Sequence, residues 1–172
     1  MKLIKRKSAG FTLIELIVAF TIISILSVIS FAAYVSFSRN QAVGNEANQL
    51  VSVLNLAKSK VQSQVKPSSC TTSLDPLVNR TLTEYGVVIE QANNQYKLVA
   101  VCGGSLINIP IEGSSSIYHK IPSPITVDAN YTISFNVLSG VVSPTPTTIT
   151  LNGGWVPSIV KTVTINSDGT IQ

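Results

Sequence analysis

The chain has 172 residues, of which 45% are hydrophobic and 12% charged, with a formal net charge of +4. That length accommodates one compact domain plus an appendage and excludes a large multidomain enzyme. The charged fraction is about half the ~25% usual in soluble domains and the mean hydropathy is positive, so some segment is not dissolved in water and disorder along the whole chain is excluded.

The excess charge sits at the start. Lys2, Lys5, Arg6 and Lys7 fall within the first ten residues, where there is no acid. Of the twelve Lys and Arg, the remaining eight are balanced by eight Asp and Glu from residue 11 onward. The pI near 9.2 therefore gives no ground for the basic face that nucleic acid requires.

Phe11 to Val35 follows, an apolar run in which Glu15 is the only ionisable side chain besides Tyr34. A bilayer core ~30 Å thick needs ~20 apolar residues at ~1.5 Å each, so this run can span it. It is longer than the core of a secretory signal, and the small residues Ser8-Ala9-Gly10 precede rather than follow it. The positive-inside rule places residues 1–10 in the cytoplasm and the rest of the chain outside, as a single-pass inner-membrane protein. Glu15 breaks the pattern, because an acid at the centre of a span costs ~2.5 to 3.5 kcal/mol on insertion scales. It either reaches water at the headgroups or awaits a cation from another subunit.

Gly10-Phe11-Thr12-Leu13-Ile14-Glu15, behind a basic leader and ahead of an apolar helix, resembles the type III signal of type IV prepilins and type II secretion pseudopilins. The resemblance implies cleavage between Gly10 and Phe11 by a prepilin peptidase, N-methylation of Phe11, and pairing of Glu15 with the Phe11 amine of a neighbouring subunit during assembly. It also implies an assembly ATPase and a platform membrane protein as partners. No proline stands near Ala32, as it does in many relatives, so no kink is expected there.

The helical pattern continues past the span. Val43, Ala47, Leu50, Leu54, Ala57, Val61 and Val65 recur every three or four residues, with Asn45, Gln49, Ser52, Lys58 and Gln62 on the other face. One helix from about Phe11 to about Val65 is expected, roughly 80 Å long. Residues 67–83 read as a Ser/Thr/Pro-rich loop. Strand-like runs follow at Tyr85–Glu90, Tyr96–Cys102, Tyr131–Leu138, Thr147–Leu151 and Val160–Asn166. Turn signals separate them at Asn93-Asn94, Gly103-Gly104, Ser139-Gly140 and Asn152-Gly153, and Pro144-Thr145-Pro146 marks another turn. Asp168-Gly169 predicts a closing hairpin.

The expected fold class is α+β: a long N-terminal helix, transmembrane in its first half and amphipathic in its second, packed on a C-terminal antiparallel β domain in a pilin-like layout. The expected divisions are a removed leader (1–10), a span and filament-core helix (11–35), an amphipathic helix (36–66) and an exported β-rich domain (67–172). Tyr131–Asn136 followed by Gly140, with Val163-Thr164-Ile165 closing on Asp168-Gly169-Thr170-Ile171, is similar to H-type minor pseudopilins of type II secretion and related minor pilins.

Cys70 and Cys102 lie in the exported part, where an oxidising compartment favours a disulfide; two separate buried thiols are the alternative. No CxxC occurs and His119 is the only histidine, so no metal or other cofactor is expected. Gly103-Gly104-Ser105 lacks phosphate-loop spacing. His119, beside Lys120 in a Ser-rich stretch, reads as a solvated loop residue, and the acids are scattered, so no enzyme is expected. The function expected is that of a minor pilin or pseudopilin, a structural subunit that waits in the inner membrane and then joins a periplasmic or cell-surface filament with other subunits. The alternative is a DNA-binding minor pilin of an uptake pilus, which needs Arg39, Lys58, Lys60, Lys66, Arg80, Lys97, Lys120 and Lys161 to converge.

Overall fold

The structure is a computed structural model that describes residues 10–70, 81–111, 116–137, 142–143 and 147–172. Residues 1–9, residues 71–80 of the expected loop, Glu112, Leu138, the expected turn at Ser139-Gly140 and Pro144-Thr145-Pro146 lie outside the described residues. The chain divides into two units, Met1–Arg39 and Asn40–Gln172. One helix, α1 (Leu13–Gln62), contributes to both.

In the first unit α1 is apolar on every side and is not interrupted at Ala32. From Leu13 to Tyr34 its large apolar side chains range from 48% exposed at Ile17 to 77% at Leu13, and Val35 is half-buried. Four of its hydroxyls are satisfied within the helix: Thr21 donates to the Val18 carbonyl at 2.8 Å, and Ser24, Ser27 and Ser30 donate to the carbonyls four residues back at 2.7 to 2.9 Å. A hydroxyl bonded to its own helix presents no orphan donor to an apolar medium. This helix is long and apolar enough to cross a membrane.

In the second unit α1 turns amphipathic, as the spacing predicts, and buries Val43, Glu46, Ala47, Leu50, Val53, Leu54, Ala57 and Val61. It stops at Gln62. The amides of Gln64 and Val65 bond back to the carbonyls of Val61 and Lys60, Gln64 takes a positive φ of 51°, and Pro67 follows.

The larger sheet is built on β1 (Leu82–Glu90), β2 (Gln95–Cys102), β3 (Ser105–Ile109), β6 (Tyr131–Asn136) and β7 (Val142–Ser143), in the order β3-β2-β1-β6-β7. The short β4 (His119–Lys120) also pairs with β2. The second sheet is β5 (Ile125–Val127), β8 (Thr147–Gly153) and β9 (Ile159–Ile165), in the order β5-β8-β9. All pairings are antiparallel. Alternate residues of these strands point inward, including Tyr85, Val87 and Ile89 of β1, Ile133 and Phe135 of β6, and Ile149 and Leu151 of β8. They form one core with the buried stripe of α1. Gly86 sits where β1 meets β6; a Cβ there would lie 2.5 Å from the Ile133 carbonyl oxygen, so only glycine permits this approach.

Three sequence expectations need correction. β1 begins at Leu82, inside the stretch read as a loop. Asn152-Gly153 is no turn: both residues stay in β8, where Gly153 pairs with Ile159, and the reversal comes after them. The strand expected to run to Leu138 ends at Asn136. The C-terminal hairpin does form, with Thr164 and Gln172 exchanging two backbone hydrogen bonds around the Asn166–Thr170 turn.

Candidate functional site

Gly10, Phe11 and Thr12 precede the helix in a non-helical backbone, and Gly10 and Phe11 are exposed, Phe11 at 81%. Thr12 is the N-cap. Its Oγ1 accepts the Glu15 amide at 3.3 Å and its carbonyl accepts the Leu16 amide at 3.2 Å. Thr-Leu-Ile-Glu has the spacing of a capping box, a signal that fixes where the helix starts, and the sequence reading passed over it. The cap leaves the Gly10–Phe11 peptide bond two residues outside the helix. It also sets the exposed Glu15 in the first turn, where the helix dipole favours a negative charge. Among the described residues, a Cβ on Gly10 would meet nothing within 4 Å.

Cys70 and Cys102 are disulfide-bonded, their Cα atoms 5.7 Å apart. Cys70 ends a 3-10 turn (Ser68–Cys70) just after α1, and Cys102 ends β2. The Tyr85 hydroxyl donates to the Val65 carbonyl at 2.7 Å, so a hydrogen bond and a covalent bond both fasten the chain leaving α1 to the larger sheet.

The ionisable cluster of the second unit was not legible in the sequence. Glu46 lies on the buried face of α1, only 4% exposed, and His119 Nε2 is 3.2 Å from its Oε1 and 3.4 Å from its Oε2. The His119 ring stacks on Tyr96 with centroids 4.8 Å apart, and its Nδ1 is 3.4 Å from Gln49 Nε2. His119 is therefore a half-buried strand residue facing a buried acid, and its reading as a solvated loop residue is corrected. Burial pushes the Glu46 carboxyl above its ordinary value, opposed by the charge and hydrogen bond of His119. Burial, then the neighbouring Glu46, pushes the Tyr96 phenol up. The cluster ties α1 to β2 and β4. Among the described residues, no group of three His, Cys, Asp or Glu could hold a metal.

Of the cations a DNA-binding face would recruit, Lys97 sits 2.8 Å from Glu90 and Lys58 donates to the Gly169 carbonyl at 2.9 Å. Arg80 lies outside the described residues.

Residues 5–31 match the family model described as the prokaryotic N-terminal methylation motif. That match covers Gly10, Phe11, Thr12, Glu15 and most of the apolar segment. No curated protein and no solved structure matches the chain significantly.

Proposed function

Taking the chain as type IV prepilin-like, the class its methylation motif marks, we propose that it is a non-catalytic filament subunit, an H-type minor pseudopilin of type II secretion or a related minor pilin. A prepilin peptidase cuts between Gly10 and Phe11, and the new Phe11 amine is N-methylated. The chain waits in the inner membrane with its second unit outside until an assembly ATPase and a platform protein draw it into a filament.

One observation carries this reading: an exposed, non-helical Gly10–Phe11 bond and a first-turn carboxylate stand at the head of a helical segment whose apolar side chains, as far as Tyr34, are all uncovered. Apolar surface on this scale requires lipid or neighbouring copies as cover. Lipid suits the helix but not Glu15. A neighbour's Phe11 amine offsets the acid's desolvation, and methylation keeps that amine cationic. No described residue crowds Gly10, and a small residue there suits entry of the bond into the peptidase.

Mass spectrometry of the mature protein is expected to find an N-methylated chain starting at Phe11. An intact Met1 start in cells containing the peptidase would refute the reading. Glu15→Gln is expected to be cleaved normally and to fail in assembly; normal incorporation of the variant would refute the charge pairing.

A further inference from the structure

The loop between β8 and β9 has no role in the reading above. With the strand ends that flank it, Gly153 to Val160 (Gly-Gly-Trp-Val-Pro-Ser-Ile-Val), it contains no charge, holds the only tryptophan of the chain and ends against the exposed Lys161. Val156 is 93% exposed and Val160 48%, while Trp155 is half-buried against the core. The loop's base is fixed. The Gly154 amide donates to the Pro124 carbonyl at 3.1 Å, and a Cβ on Gly153 would lie 2.7 Å from the Trp155 ring and 3.0 Å from Val43 Cγ2. Both glycines thus let Trp155 and Pro124 close on the backbone, with Val156 left exposed.

Val43 is the fourth residue of the second unit and the first that α1 buries. The loop beside it therefore lies at the end of that unit where the chain enters. Val43 follows the end of the span, Val35, by eight residues, about 12 Å of helix. At whatever angle the span meets the membrane, this end of the unit is tethered within that distance of the hydrocarbon edge. The headgroup layer fills about 5 to 8 Å of it. A tryptophan, an uncovered valine and an adjacent lysine are the residues that settle at such an interface: the ring and aliphatic group enter the headgroup boundary and the ammonium meets phosphate.

We propose that the Gly154–Ser158 loop is a second membrane contact, seating the exported domain on the headgroup layer through Trp155 and Val156 while the span is in the bilayer. The contact rests on the reading of residues 11–35 as a membrane span. It adds a step to assembly, because leaving the bilayer then requires release of the loop as well as extraction of the helix.

Trp155, as the sole tryptophan, reports the contact directly in the full-length chain reconstituted into phosphatidylethanolamine/phosphatidylglycerol vesicles. Vesicle flotation tests the span; failure to float removes that reading and this contact with it. In floating protein, Trp155 emission is expected to be quenched by lipid carrying a nitroxide close to the headgroup, and only weakly by lipid carrying it near the acyl terminus. Val156→Asp should leave flotation and far-ultraviolet circular dichroism unchanged, since the side chain packs on almost nothing, and lower the equilibrium constant for the contact at least tenfold, the partition worth of one valine, with weaker shallow quenching. Floating protein without shallow quenching, or equal quenching in Val156→Asp, would overturn the contact. Emission that follows protein density rather than lipid label would assign the loop to a second copy of the chain and overturn it too.

Discussion

Replacing His119 by phenylalanine keeps an aromatic ring against Tyr96 and removes the nitrogen that faces Glu46 at 3.2 Å. A carboxylate as buried as Glu46 does not stay ionised when its partner is lost; it takes up a proton, which limits the damage. The limit is about 1.4 kcal/mol for each pH unit above the unfolded value of 4.5. The ceiling on the charge effect is then about 3 kcal/mol at pH 7 and below about 1 kcal/mol at pH 5. The wild type has the same sign more weakly. Burial raises the folded value of Glu46, so its contribution is fully present below pH 4.5 and is lost as pH rises through that folded value. Urea unfolding of the full chain in detergent, followed by Trp155 emission at both pH values, measures the difference. His119→Phe is expected to lose more stability at pH 7 than at pH 5. An equal loss at the two would show that His119 acts by packing alone and would refute the argument.

Glu90 titrates in the opposite sense. Hydrogen bonds from Lys97, then Asn93 and Gln95, hold it at about 2, so its contribution is present above pH 4.5 and lost as pH falls through about 2. Lys97→Met is expected to move the acid-unfolding midpoint upward, with an effect at neutral pH within ~1 kcal/mol because the pair is partly exposed. Gly86→Ala forces β1 and β6 apart against the Ile133 carbonyl and is expected to cost about 1 to 3 kcal/mol in the same urea assay. Cys102→Ser opens a loop of 32 residues in sequence separation and is expected to cost about 3 to 4 kcal/mol in the chain-entropy model, matched by reductant acting on the wild type. Thr12→Ala removes the cap at a cost of about 1 kcal/mol, visible as about fivefold faster amide exchange at Glu15 with global stability unchanged.

Much of the molecule is written in short windows. The apolar run from Phe11, the three-and-four spacing from Val43 to Val61, the β-branched runs of β1, β2, β6, β8 and β9, and the Asp168-Gly169 reversal each depend on residues only a few positions apart. The Gly10–Glu15 motif is equally local, and so is the Thr12 cap, which was readable but overlooked. Short windows fail where distant segments meet. The two-residue β4 has no pattern of its own and exists because β2 offers Gln95 and Tyr96 as partners. Asn152-Gly153 has the composition of a turn, yet β9 keeps pairing with it to the end of β8. Glu46 and His119 are 73 residues apart, and one looks like a polar position on a helix while the other looks like a solvated loop. Propensity and periodicity act along the chain, so sequence alone determined the elements and the N-terminal motif. Strand order, the close approach at Gly86 and the choice of charge partners arise from packing across the chain, which only the tertiary structure decided.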